Sequence, residues 1–229
     1  MRLWRWIKRI FKKKETKPVV VETPIPDLSE EGYVRPVVGL VVGHNERDKG
    51  ARNYLGEQEW TFNSRIANKV QARLNELNIR SVIVFRPRSG GYRHECSSVA
   101  KELKGKGCTH AVLLHFNDAQ EGAKGVEVLV TRTSTKEDNE FGDVFTDILN
   151  EEYGFVERGD DGVKTISSKH GGSGMLNACN GKGIISALVE PCFAGYRTKE
   201  SILIFESEDK YVLVLTKAIH TTWAKKTKQ

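Results

Sequence analysis

The chain has 229 residues, 38% hydrophobic and 29% charged, with a formal net charge of +6. This suits one well-cored globular domain plus a tail, and no run of about 18 apolar residues is present to span a membrane as a helix. Residues 1–14 carry seven cations and no acid, so residues 15–229 carry a net −1, and no global basic character points to nucleic acid.

At the N-terminus, Leu3, Ile7, Ile10 and Phe11 recur at helical spacing, with Trp4 beside them and basic residues between. The pattern predicts a cationic amphipathic helix over residues 1–14 that contacts an anionic membrane or wall polymer; a disordered basic tail is the alternative. Arg5, Lys8 and Arg9 interrupt every apolar run, so no secretory signal is expected, and the chain is expected to be made in the (host) cytoplasm and to act at the cell wall. Residues 15–35, with Pro18, Pro24 and Pro26 and no helical periodicity, read as a linker.

From residue 36 onward, strands and helices alternate. Val37–Val42 and Ser81–Phe85 read as buried strands, separated by a helix over Phe62–Leu77 with a stripe of Phe62, Ile66, Val70 and Leu74. Glu95–Leu103 reads as a helix, His110–Leu114 and Gly125–Val130 as strands, and Asn139–Leu149 as a helix. Ser167–Gly174 is glycine-rich and reads as a mobile loop able to rim a groove with His170. Ile184–Val189 is a further strand, and helices near Lys199–Phe205 and Lys210–Lys225 close the chain, His220 lying on the surface of the last. The expected fold is a single α/β domain over residues 36–225, a largely parallel twisted sheet with helices on both faces. Cys96, Cys108, Cys179 and Cys192 form no CxxC pair and read as free, buried thiols.

Ligand sites in open α/β sheets form beyond the carboxyl ends of the strands. His44 follows the first strand, His115 ends the third and Glu190 follows the Ile184–Val189 strand. Glu59 lies just after the His44 loop, at the start of the first helix. Two histidines and a carboxylate can hold Zn²⁺ with a position open for water, and a further glutamate can take a proton from that water. Taken singly, the histidines read as ordinary strand-end residues and Glu59 as an acid suited to a helix start. Glu190 stands out alone, since an acid after five apolar residues risks burial without a partner.

Five segments in order resemble the zinc-dependent N-acetylmuramoyl-L-alanine amidases of the amidase-3 family: Gly43-His44-Asn45-Glu46-Arg47-Asp48-Lys49-Gly50-Ala51, Glu59 with Asn63, Leu113-Leu114-His115-Phe116-Asn117, Gly125-Val126-Glu127, and Val189-Glu190-Pro191-Cys192-Phe193. The resemblance covers about residues 36–224. It implies His44, Glu59 and His115 as zinc ligands and Glu190 as general base, with Asp48, Asn63, Asn117 and Glu127 in supporting positions. It implies hydrolysis of the amide between N-acetylmuramic acid and L-alanine in peptidoglycan, and a phage endolysin fits the absent signal. Asn45-Glu46 stand where the family has Gly-Gly, Lys49 where proline is common, Leu113 where serine is common, and Pro191 is unusual. Two other readings stay open: a zinc peptidase acting on another peptide, and a non-catalytic wall- or membrane-binding module.

Overall fold

Strands whose residues are apolar on both faces need helices on both sides of their sheet, because an uncovered face would leave that surface in water. The computed structural model describes residues 36–88, 90–118, 122–158 and 162–226, and it shows this arrangement. The amphipathic tail expected over residues 1–14 and the linker over 15–35 lie outside the described residues.

Six strands form one sheet: β1 (Val37–Val42), β2 (Ser81–Phe85), β3 (Cys108–Leu114), β4 (Glu127–Thr131), β5 (Val163–Ile166) and β6 (Ile185–Glu190), in the order β2-β1-β3-β6-β4-β5. All neighbours are parallel except β4 and β6, which run antiparallel with Glu127 opposite Glu190. The helices are α1 (Glu59–Glu76), α2 (Gly91–Gly105), α3 (Lys136–Tyr153), α4 (Ser173–Asn180), α5 (Lys199–Phe205) and α6 (Glu208–Lys226).

Alternation along β1 divides the core in two. Val38, Leu40 and Val42 pack with Phe62 and Ile66 of α1, Phe145 of α3 and Tyr211 of α6. Val37 and Val41 pack on the other face with Val99 and Leu103 of α2 and Leu176 of α4. The four cysteines are free and buried. No described helix is long and apolar enough to cross a membrane.

Several expectations are corrected. β5 and α4 were not foreseen. Ser167–Gly174 is not wholly a loop, since α4 begins at Ser173. His220 is not a surface residue: it is half-buried, with Nδ1 enclosed and unpartnered. His110 is a core residue, 2% exposed, packed between the rings of Phe141 and Trp223.

Candidate metal centre and cleft

The loop after β1 places His44. Gly43 donates its N–H to the Leu114 carbonyl at the end of β3, holding the loop against the strand that delivers His115. His44 itself takes a left-handed backbone, φ 62°, which is uncommon for a residue with a side chain. Asn45 stabilises the turn that follows: its Oδ1 accepts the N–H groups of Arg47 and Asp48, each at 2.9 Å. The residue that departs from the family's glycine thus closes the loop with its side chain.

α1 begins at Glu59 rather than Phe62, and Gln58 supplies no side-chain cap. The loop supplies the acceptors instead: Glu59 and Trp60 donate their N–H groups to the carbonyls of Ala51 and Lys49, each at 3.0 Å. Helix start and histidine loop are therefore one unit. Gly50, at φ 73°, sits where a Cβ would come within 2.5 Å of His44 Cδ2 and 2.6 Å of Glu59 Oε2. Asn63, one turn along α1, donates to the Leu114 carbonyl at 3.1 Å and ties the helix to β3.

His44, Glu59 and His115 converge, their ligand atoms lying within 4.8 Å of one another. Glu59, 2% exposed, is the hub. Its Oε1 lies 2.8 Å from His115 Nδ1 and accepts the Phe116 N–H at 3.1 Å, while Oε2 lies 3.1 Å from His44 Nε2. Burial alone would raise the Glu59 carboxyl, but the bonds and charges of His115 and His44 outweigh it and bring it down to about 2. Burial likewise pulls the His44 imidazole down, yet the bond and charge of Glu59 leave it raised. The cluster draws positive charge to itself, and its two imidazoles and one carboxylate are the donor set that zinc takes, at bonds of about 2.0–2.2 Å, in sites that keep a position open.

β6 ends at Glu190 beside this cluster. The His115 N–H donates to the Val189 carbonyl at 3.1 Å, and the Asn117 N–H to Cys192 O at 2.9 Å, so the two chains stay paired past the strand ends. Glu190 is 9% exposed, and its Oε2 is buried without a hydrogen-bond partner. Burial first, then the charges of Glu127 and Glu59, push this carboxyl up to about 8. Glu127, directly across the ladder, is fully engaged: it accepts from Asn117 Nδ2 at 3.0 Å and pairs with Arg158 and Lys164. One of the two facing glutamates is thus held as a charged pair, and the other is left as an acid with a free oxygen.

A cleft of about 490 Å³ opens over these groups, lined by His44, Glu59, His115 and Glu190. Asp48 also lines it, with its Oδ2 3.7 Å from His44 Nδ1, and so do Asn117 and His170. Two lining residues were missed in the sequence. Arg86 donates Nε and Nη2 to Glu95 Oε2 at 3.0 and 2.6 Å, and its guanidinium lies 5.0 Å from the Tyr92 ring, whose hydroxyl donates to the Gly171 carbonyl. An arginine after a strand and an acid nine positions on carry no signal of this pairing until the fold joins them.

A family model described as N-acetylmuramoyl-L-alanine amidase matches residues 38–219. No curated protein matches the sequence. Among solved structures, the N-acetylmuramyl-L-alanine amidase Ami1 from Mycobacterium smegmatis is 18% identical, covering 83% of this chain and 97% of its own, with a TM-score of 0.67. The catalytic domain of CwlV, an N-acetylmuramoyl-L-alanine amidase from Bacillus (Paenibacillus) polymyxa var. colistinus, is 19% identical over 80% of this chain and 94% of its own, with a TM-score of 0.61. The catalytic domain of the CD27L endolysin targeting Clostridia difficile is 17% identical over 81% and 97%, with a TM-score of 0.60. At these identities the structural likeness speaks for the fold.

Proposed function

This chain belongs to the amidase-3 family of N-acetylmuramoyl-L-alanine amidases, and we propose that it acts as a zinc hydrolase in which His44, Glu59 and His115 hold the metal and Glu190 is the general base. The enzyme class and its substrate, peptidoglycan, follow from the family match over residues 38–219. Against the reading of a non-catalytic module stand the intact His44, Glu59 and His115 cluster and Glu190 in the same cleft. The observation that carries the mechanism is a buried carboxyl with a free oxygen, Glu190, in the same cleft as a His–Glu–His cluster.

When bound, zinc supplies Lewis-acid polarisation of water and of the scissile carbonyl. The protein's own groups do the rest. The Phe116 N–H and the two imidazoles fix the Glu59 carboxylate, so the donor set is organised before substrate arrives. Glu190 takes the proton of the attacking water on its free oxygen as the new C–O bond forms. It then passes that proton to the nitrogen of L-alanine as the C–N bond breaks. Its buried Oε2, which has no other hydrogen-bond partner, is the atom that would hold the proton between the two steps.

The test is product analysis on purified peptidoglycan. The proposal expects new L-alanine amino termini without new reducing sugars, abolished by a strong chelator and restored by zinc. Cleavage within the stem peptide would favour the peptidase reading, and chelator-resistant cleavage would remove the metal. The proposal extends to bacteriolysis: walls that lose their stem peptides lose their cross-links, and added enzyme should clear a wall suspension. In phage-induced host lysis the same cut releases progeny, which restoration of lysis in a lysis-defective phage by this coding sequence would check.

A further inference from the structure

Arg86 follows β2 and lines the cleft at the same strand-end edge as the metal-binding residues. Among the described residues that line it, Arg86 is the sole lysine or arginine, whereas Asp48, Glu59, Asp118 and Glu190 are acids. Its side chain is only 10% exposed, so its charge needs a partner, and the 9% exposed Glu95 of α2 supplies one. That pairing occupies one edge of the guanidinium, since Nε and Nη2 both donate to Glu95 Oε2. Tyr92 steadies the group, its ring centroid 5.0 Å from Cζ and its hydroxyl anchored on the Gly171 carbonyl. Nη1 makes no hydrogen bond to the described residues. An ion pair that served the fold alone would account for the Nε edge, but not for a second, unused edge at the cleft.

The position of that edge narrows what it meets. Asn45 Nδ2 donates to the Pro87 carbonyl at 3.4 Å, which holds the Arg86 segment against the His44 loop. The Arg86 charge is felt at the His44 imidazole, where it works against protonation. A cleft of about 490 Å³ holds a small ligand rather than a whole stem peptide. The group met by Arg86 therefore lies within a residue or two of the scissile amide. On the sugar side the muramoyl carboxyl is consumed in that amide. On the peptide side, L-alanine is followed by D-glutamate joined through its γ-carboxyl, which leaves an α-carboxylate free. A planar carboxylate is the group that an open guanidinium edge matches best.

We propose that Arg86 is a specificity residue that receives the free α-carboxylate of the second stem residue on its Nη1 edge, with Glu95 and Tyr92 as positioning residues. This deepens the amidase reading and rests on it. The enzyme then prefers stems carrying γ-linked D-glutamate over stems whose second residue bears a carboxamide in its place.

The test uses the full chain with zinc supplied, and reads a ratio rather than a rate. Calorimetric titration with L-alanyl-γ-D-glutamate and with its α-carboxamide should show about tenfold tighter binding of the acid by the native protein. In parallel, kcat/KM on muramoyl-peptides with the same two groups should favour the acid about tenfold. Replacing Arg86→Gln and Glu95→Gln together leaves no unpaired buried charge, and should bring both ratios near one. Arg86→Lys keeps a cation for Glu95 and covers a double variant that does not fold; it should lower both ratios severalfold, because an ammonium lacks the planar fork. Equal binding of acid and carboxamide by the native protein would overturn the proposal. So would a preference that persists in the variants, since a purely structural pair would slow both substrates alike and keep the ratio. If the native protein cleaved neither muramoyl-peptide, the amidase reading would fail, while the titrations would still decide whether Arg86 receives a carboxylate.

Discussion

Glu190 shows what the fold gives up for its site. Its carboxyl is buried, faces Glu127 across the ladder and lies in the field of Glu59. The sign of the resulting pH dependence follows directly. Below about pH 4.5 the group is protonated in folded and unfolded chains alike. Between there and about 8 the unfolded chain releases the proton and the folded one keeps it, so the metal-free fold loses stability as pH rises, and the loss is complete above about 8. Glu190→Gln removes this liability. Metal-free Glu190→Gln should therefore melt higher than the metal-free native protein at pH 9, by on the order of a few kcal/mol, and match it at pH 4. Equal melting at both pH values would refute the buried-acid account. Gly50 fails in the opposite direction: Gly50→Ala forces a Cβ against His44 and Glu59 at a left-handed φ. It should weaken zinc binding about 10–100-fold, read by competition with a chelator. At this scale Glu190 was legible in the sequence, because an acid closing an apolar strand is anomalous. The left-handed turn at His44 was not, because nothing local to a histidine announces it.

The elements that carry the site are tied by a few buried polar contacts. Asp138 is 1% exposed; its Oδ2 caps α3 through the Thr135 N–H at 2.7 Å, and its Oδ1 accepts the Ser186 N–H of β6 at 2.6 Å. One side chain thus fixes both a helix start and the strand that ends at Glu190. Asp138→Ala should cost about 2–4 kcal/mol in a denaturant titration, more than a helix cap alone, because it also strands a buried N–H. A loss within 1 kcal/mol would mean the two roles are separable. Strands β1, β2, β3 and β6 were readable as apolar runs, and α1 by its stripe. β5 was not: Val163–Ile166 has four residues, with Lys164 and Thr165 side by side between two apolar ends, so it shows neither an apolar run nor alternation. α4 was hidden for another reason, since Gly171, Gly172 and Gly174 lower local helix propensity and only packing of Met175, Leu176 and Cys179 against the sheet makes it a helix. The start of α1 was misplaced because its first N–H groups are satisfied by a loop eight to eleven residues upstream rather than by a side-chain cap.

For the domain as a whole, the site joins residues from three separate parts of the chain at one sheet edge, so an ion held there cross-links the fold. Zinc at about a hundred times its dissociation constant should stabilise the folded state by about 2.7 kcal/mol, seen as a rise of roughly 5–10 °C in Tm over the chelated protein. An unchanged Tm would deny the cluster a metal. The α/β architecture and its largely parallel sheet were legible from strand–helix alternation. The single antiparallel neighbour, β4 against β6, was not, although it places Glu127 opposite Glu190.

The most direct test pairs zinc content with cleavage of the muramoyl–alanine amide in native protein and Glu190→Gln. The account predicts one zinc per chain in both, and a rate about 10²–10⁴-fold lower in the variant. Cleavage by Glu190→Gln at the native rate, or full activity in a native protein that holds no zinc, would contradict it.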